Sequence, residues 1–196
     1  NRRQRGQRFG AIEFASLPRV ALGRPGPGPL SSGRTPSYDY ESPALSMIAT
    51  GPRILIVRLS AIGDVLHGLP VLSALRAKWP AAHLSWVVEG RAAELLAGHP
   101  ALDELIVVPR GWLKSPRAVF ELRRRLAAVQ PKVALDLQGL TKSAIVAWLS
   151  GAPRRIGFAP PDGRELSGLI ATEQVAARSA HVVDRYLELL APLGVD

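Results

Sequence analysis

The residues best suited to chemistry in this chain lie between positions 60 and 67. Ser60, Gly63 and Asp64 come directly after the apolar residues 54 to 57, and an apolar periodic pattern then resumes. This order is typical of a buried strand, a loop and a helix, and open α/β sheets bind their ligands at such junctions. The free N–H groups at a helix N-terminus stabilise a charged carboxylate. Asp64 therefore either accepts a proton from a hydroxyl nucleophile or simply caps the helix.

Gly63 and His67 belong to the same junction. Gly63 lets a ligand approach the backbone closely, and His67 is either a polar group of the site or an ordinary residue on the helix face. The loop lacks the Gly-x-Gly-x-x-Gly pattern of dinucleotide sites and the Gly-Lys-Ser/Thr of nucleoside triphosphatases. The chain also has no Gly-x-Ser-x-Gly nucleophile turn. Hydride transfer and acyl hydrolysis are therefore disfavoured.

A second junction follows Asp136, where another strand pattern runs into a helix. It carries Gln138, Gly139, Lys142 and Ser143. Two such loops in an open parallel sheet can face one crevice, so Gln138, Lys142 and Ser143 could bind hydroxyls and an anionic group near the first loop. Alternatively, Gly139 is a plain loop residue and Lys142 a solvated cation.

A basic loop supplies the third candidate cluster. Arg110, Lys114 and Arg117 follow a predicted strand, so they lie on the ligand side of the sheet and are candidates for binding anionic groups. Residues 123 to 125 are three successive arginines, which cannot share one helix face and are expected to be mostly solvated.

Metal and thiol chemistry have little support in the sequence. The four histidines are scattered without ligand spacing, and the chain has no cysteine, which excludes a disulfide scaffold, a thiolate metal site and a cysteine nucleophile. We expect a mechanism without a metal or other cofactor.

The elements that position these loops alternate between strand and helix. The patterns predict strands over 53–58, 83–89, 105–108, 133–137 and 155–158, and helices over 64–78, 91–97, 116–129, 141–150 and 181–190. Repeated βα units of this kind form a parallel sheet with right-handed crossovers. The fold class is therefore α/β with an open parallel sheet.

Residues 1–46 differ in composition from the rest of the chain. They contain seven arginines against three acids, many Pro and Gly residues, and too little apolar surface to offset the entropy of ordering. We interpret 1–46 as a disordered basic leader and 47–196 as the folded domain. The sole methionine, Met47, suggests that translation of the native protein starts there. The net charge of +9 indicates an anionic partner.

Three blocks in order carry a family resemblance: residues 54 to 70, residues 86 to 89, and residues 136 to 144. They resemble the N-terminal half of the bacterial lipopolysaccharide heptosyltransferases of glycosyltransferase family nine, of the heptosyltransferase I type. The resemblance implies a Rossmann-like N-terminal domain of a GT-B glycosyltransferase, with residues 47–196 as the acceptor-binding domain. The donor-binding C-terminal domain is absent from this sequence, so we expect the chain alone to have no transferase activity. Either the chain still binds acceptor, or the full-length protein continues past Asp196.

The resemblance also implies roles. The family transfers heptose from ADP-heptose to a Kdo residue of the lipid A inner core, inverting the anomeric centre without a metal. Asp64 matches the catalytic base, and Ser60, Gly63 and His67 surround it. Arg110, Lys114 and Arg117 fall in the acceptor loop that neutralises Kdo carboxylates and lipid A phosphates. The expected location is cytoplasmic, peripheral at the inner membrane, with no nucleic-acid partner.

Two other functions remain open from the residues. The chain could be a noncatalytic sugar- or nucleotide-binding Rossmann-like module, which a stop codon after Asp196 would favour. A nucleic-acid protein with a basic arm ranks last, since the leader has no lysine and no pattern of aromatic residues interleaved with basic ones.

Overall fold

The computed structural model describes residues 51–164 and 166–195. The predicted leader 1–46 and the proposed start at Met47 lie outside the described residues. Among those residues, six parallel strands form a single sheet in the order β3-β2-β1-β4-β5-β6. The strands are β1 (Arg53–Val57), β2 (His83–Glu89), β3 (Glu104–Val108), β4 (Val133–Asp136), β5 (Arg154–Phe158) and β6 (Glu173–Val175).

Five α-helices connect and flank these strands in the described part of the chain. They are α1 (Ile62–Lys78), α2 (Pro116–Val129), α3 (Thr141–Leu149), α4 (Ser167–Ile170) and α5 (Val182–Glu188). Single 3₁₀ segments span Gly90–Leu95, Trp112–Lys114 and Ala191–Leu193. None of the helices within the described ranges is long and apolar enough to cross a membrane.

The central strands are covered on both faces, which explains why they read as continuous apolar runs. Ile54 and Ile56 of β1 pack into a core with α1 and α5. Leu55 and Val57, which alternate with them, pack into a second core with α2 and α3. A parallel sheet with helices on both faces requires apolar side chains on both sides of each strand.

The predicted fold class is confirmed: the chain forms an open, all-parallel α/β sheet of the Rossmann-like type. Helix α1 begins at Ile62, two residues before the predicted start at Asp64, because the Asp64 carboxylate accepts the backbone N–H of Ala61 at 3.2 Å and so completes the first turn. The helix predicted over 91–97 is instead the 3₁₀ segment Gly90–Leu95.

Two elements were missed at the sequence level, α4 and β6. Both are short, and β6 has the sequence Glu-Gln-Val without apolar alternation. Its stability comes from pairing with β5, where Gly157 lies opposite Gln174. Long-range pairing of this kind leaves no local pattern in the sequence.

Candidate functional site

A polar cleft lies at the carboxyl edge of the sheet, where the connections from β1 and β4 leave in opposite directions. Strand β1 pairs with β2 on one side and with β4 on the other, and Val57 stands opposite both Val87 and Asp136. Such a switch point is where open α/β sheets bind ligands. The cleft has a volume of about 440 Å³ and is lined by Arg58, Ser60, Asp64, Leu137, Gln138, Leu140, Phe158, Asp162, Arg164, Val182, Arg185 and Tyr186.

Asp64 enters this cleft from the first turn of α1. Its Oδ2 atom forms an ion pair with Nη2 of Arg58 and accepts the N–H of Ala61 at 3.2 Å. Its Oδ1 atom accepts no hydrogen bond from any described residue, and the side chain is 40% exposed. One carboxylate oxygen is therefore fixed in place and the other is available to a ligand hydroxyl.

Arg58 is the buried cation that holds Asp64. It is only 7% exposed, and its Nη1 atom donates to the carbonyl oxygen of Leu137 at 2.9 Å. Its guanidinium also lies over the ring of Tyr186, 5.4 Å from the ring centroid. The indole N–H of Trp86 donates to the Arg58 carbonyl at 3.2 Å and fixes the backbone. A buried charge needs this degree of pairing, so Arg58 links β1, the β4 loop and α5 around Asp64.

The two predicted loops do meet. Gln138 Oε1 accepts the backbone N–H of Leu59 at 3.0 Å, which ties the β4 loop to the β1 loop. Asp136 anchors the β4 loop from below, because its Oδ1 accepts the N–H groups of Gln138 at 2.9 Å and Gly139 at 3.1 Å. Burial raises the pKa of Asp136 to about 6, against the opposing effect of these hydrogen bonds and of Arg58.

Gly139 and Ser143 lie behind the cleft wall and support it. A Cβ atom on Gly139 would stand 2.7 Å from the carbonyl oxygen of Asp162, and the residue has a φ of +66°. The Gly139 carbonyl accepts the backbone N–H of Arg164 at 2.9 Å. Ser143 is fully buried, with its hydroxyl 3.0 Å from Oδ2 of Asp136. Both residues therefore position the loops, and neither lines the cleft.

Lys142 is neither in the cleft nor a free solvated cation. Its Nζ atom donates to Oε2 of Glu89 at 2.8 Å, and the Glu89 side chain is only 6% exposed. The other carboxylate oxygen of Glu89 is buried without a hydrogen-bond partner. Lys142 thus neutralises a buried acid at the end of β2.

The cleft carries more positive charge than the sequence suggested. Arg185, from α5, forms an ion pair with Asp162 and lies over the ring of Phe158. Arg164 is exposed and forms no ion pair with any residue that the structure describes. Since Arg58 and Arg185 are already paired, Arg164 is the cation that remains available to an anionic group among the described residues of the cleft.

Tyr186 closes the cleft from α5. Burial raises the pKa of its hydroxyl above the usual value near 10, with Arg58 opposing the shift. The phenol therefore keeps its proton at neutral pH and can donate a hydrogen bond.

The other predicted residues lie outside the cleft. Gly63 and His67 are exposed on α1, and a Cβ atom on Gly63 would meet nothing within 4 Å. Arg110, Lys114 and Arg117 are exposed after β3, which is two strands away from β1. Two strand spacings amount to about 10 Å. The three residues of the basic loop do not line the cleft, and their predicted roles stay predictions.

Sequence reasoning missed six charged or aromatic residues of the cleft: Arg58, Phe158, Asp162, Arg164, Arg185 and Tyr186. The position of Arg58, as the polar residue that ends an otherwise apolar strand, was a usable signal. Arg185 and Tyr186 sit on a helix more than a hundred residues away in the chain, and no local pattern connects them with Asp64. Within residues 51–164 and 166–195, no group of three or more acidic or histidine side chains could hold a metal ion.

The sequence is similar to that of a known protein family. Residues 119–196 match the model of "Glycosyltransferase family 9 (heptosyltransferase)". The chain is 34% identical over 156 residues to lipopolysaccharide heptosyltransferase 1 of Salmonella typhimurium, an alignment that covers 74% of this chain and 49% of that protein. The chain thus spans about half the length of the curated relatives it matches.

Solved structures of two proteins of the same family superpose on this chain. A glycosyl transferase family 9 protein from Veillonella parvula superposes with a TM-score of 0.65 at 27% identity, covering 74% of this chain and 42% of the other. The E. coli heptosyltransferase WaaC with ADP-2-deoxy-2-fluoro heptose superposes with a TM-score of 0.63 at 30% identity, covering 74% and 49%.

Proposed function

Since the chain belongs to glycosyltransferase family 9, the heptosyltransferases, we propose that it forms the acceptor-binding half of an enzyme that adds heptose to the lipopolysaccharide core. The donor we propose is ADP-heptose, because the neighbour from E. coli is described with an ADP-heptose analogue. The acceptor we propose is a Kdo residue of the inner core. In this proposal, residues 47–196 are one Rossmann-like domain of a GT-B enzyme and a second domain holds the donor.

Asp64 is the general base in the proposed reaction. Its free Oδ1 takes the proton from an acceptor hydroxyl while that oxygen attacks the anomeric carbon of the heptose. The bond from that carbon to the diphosphate breaks, and ADP leaves with the electron pair. A single displacement of this kind inverts the anomeric centre, and it needs no metal ion on the acceptor side. The observation that carries the proposal is this free oxygen in a polar cleft at the sheet switch point.

Arg58 is a positioning residue for Asp64. It engages Oδ2 and leaves Oδ1 facing the cleft, and its contacts to Leu137 and Tyr186 prevent the carboxylate from turning away. Holding base and hydroxyl in line supplies a large part of an enzymatic rate through orientation.

Arg164 is proposed to bind the anionic group of the acceptor nearest the reacting hydroxyl. A guanidinium recognises a carboxylate through two parallel hydrogen bonds, which suits the carboxylate of Kdo. Arg110, Lys114 and Arg117 are proposed to bind acceptor phosphates about 10 Å further along the sheet edge. Because this acceptor is anchored in lipid, we propose a peripheral location at the cytoplasmic face of the inner membrane.

The test is ADP release from ADP-heptose by the protein of the full reading frame. Turnover that requires a Kdo-lipid A acceptor supports the proposal, and an acceptor whose Kdo already carries heptose serves as the control. Release that ignores the acceptor, or that occurs only with the heptosylated one, would reject Kdo as the receiving sugar.

A noncatalytic sugar-binding module is the second candidate, and one observation favours it. Oδ2 of Asp64 caps the N-terminus of α1 through Ala61 and pairs with Arg58, which is a sufficient structural role for a carboxylate. This candidate predicts acceptor binding without ADP release in the full-length protein.

A further inference from the structure

Helix α2 presents an exposed aromatic side chain between two arginines. Phe120 is 70% exposed. Arg123 and Arg124 follow it by three and four residues, so both project beside it one turn further along the helix. The opposite side of α2 is the buried one, where Leu122, Leu126 and Val129 pack on the sheet. We name Phe120, Arg123 and Arg124 the outer face of α2.

Within the described residues, Arg123 of this outer face forms no hydrogen bond or ion pair, and Arg124 pairs only with Glu121 of the same helix. Arg125, the third arginine of the run, has a structural role: it donates to the carbonyl oxygens of Leu105 at 3.4 Å and Val107 at 3.3 Å and covers the open edge of β3. Arg123 and Arg124 are exposed, and the acid beside them, Glu121, pairs with Arg124 at 2.8 Å. A positive charge thus remains around the exposed ring.

We propose that the outer face of α2 docks on an anionic lipid surface. Phe120 enters the headgroup region, Arg123 pairs with a lipid phosphate, and Arg124, which balances Glu121, keeps the face positively charged. A bare phenyl ring with flanking cations fits this partner, since an interfacial membrane contact combines apolar burial with electrostatic attraction. A nucleic-acid duplex would use the arginines and leave the ring in water.

The position of α2 agrees with the proposed function. The part of this inference that concerns the lipid-anchored acceptor rests on that proposed function. Helix α2 starts just after the carboxyl end of β3, at the sheet edge that also carries the cleft with Asp64. Docking through this helix would hold the acceptor-binding edge close to a lipid-anchored substrate. The affinity for lipid itself depends only on the outer face.

The test is co-sedimentation of the chain with vesicles of phosphatidylcholine containing phosphatidylglycerol. Each cation near an anionic membrane contributes about 1 kcal/mol, which is about a fivefold change in partitioning, so the double variant R123Q/R124Q should bind about 25-fold more weakly. Phe120→Ala should also weaken binding, by a factor that changes little with salt, because salt screens the arginines and not the apolar contact.

Matched controls distinguish binding through the outer face of α2 from attraction due to the overall positive charge. They are needed because residues 1–46 are also basic. R178Q/K132Q removes the same charge from exposed positions elsewhere, and Trp148→Ala removes another exposed aromatic ring, on α3. Both controls should bind vesicles like the unaltered chain. The inference is overturned if the controls weaken binding as much as the α2 variants, or if the α2 variants weaken binding to a DNA duplex and leave vesicle binding unchanged.

Vesicle binding requires no turnover, so the two proposals fail separately. Loss of heptose transfer with α2-dependent vesicle binding intact would reject only the proposed function. Active transfer together with vesicle binding that ignores the α2 variants would reject only the docking surface.

Discussion

Replacing Asp136 by asparagine should remove a pH dependence of stability that is built into the candidate site. Oδ1 of Asp136 accepts two backbone N–H groups, and Oδ2 faces the hydroxyl of Ser143. Asparagine can keep the first oxygen in place and present its N–H to the Ser143 oxygen. The substitution therefore changes the ionisation at this position with little change in shape.

The magnitude follows from the shift in the pKa of Asp136 from 3.8 to about 6. Burial disfavours the charged carboxylate, so the folded chain binds the proton more tightly than the unfolded chain does. The stability contribution is therefore fully present below about pH 4 and is lost as the pH rises through about 6. Two pKa units correspond to about 3 kcal/mol, of which about 2 kcal/mol falls between about pH 4 and pH 7.

The assay is urea unfolding of the chain and of D136N at several pH values. The difference in unfolding free energy between the two proteins isolates position 136, since both share every other titrating group. The unaltered chain should lose about 2 kcal/mol relative to D136N from about pH 4 to pH 7. Asp184→Asn, at an exposed acid on α5, serves as the matched Asp-to-Asn substitution elsewhere on the surface.

A constant difference across this pH range would refute the reasoning, since it would mean that Asp136 stays charged in the folded chain at low pH. A difference of opposite sign would show that its hydrogen bonds and Arg58 outweigh burial.

Two further substitutions probe the walls of the cleft. Gly139→Ala should destabilise the chain by about 1 to 3 kcal/mol because of the positive φ, and by more because the new Cβ would approach the Asp162 carbonyl. Urea unfolding should show a larger loss of stability than for Gly151→Ala, where φ is +70° and the space around the residue is open. Equal losses would contradict this. Arg164→Gln should weaken binding of a Kdo-lipid A acceptor at least 10- to 100-fold, since one charge-assisted hydrogen bond has about this value and the guanidinium can form two. Titration calorimetry against Arg178→Gln checks this, and equal affinities would rule Arg164 out as the anion site.

Much of the fold could be predicted because the signals are local. The apolar runs of β1 and β2 and the proline-bounded α2 need no knowledge of distant residues. Helix α5 and strand β6 were harder, since the predicted helix over 181–190 proved to be Val182–Glu188, and β6 depends on its partner strand.

The candidate site was predictable to the extent that topology alone places it. Asp64 and Gln138 follow neighbouring parallel strands, so their loops had to meet at one sheet edge. The contacts of Lys142 and Ser143 were not predictable, because each is paired with an acid, Glu89 or Asp136, whose burial the sequence does not reveal. Arg58 was overlooked because a polar residue directly after an apolar strand marks the end of that strand. The sequence gives no sign that its side chain turns back to pair with Asp64.

The central claim is that Asp64 takes the proton from the acceptor hydroxyl, and the most direct test is Asp64→Asn in the full-length protein. Asparagine keeps an oxygen for the Ala61 N–H and cannot serve as a base. With ADP-heptose and saturating Kdo-lipid A, kcat for ADP release should fall by about 10²- to 10⁴-fold while acceptor affinity changes little, and Asp184→Asn should match the unaltered enzyme. Turnover by Asp64→Asn at the rate of the Asp184→Asn control would contradict the account.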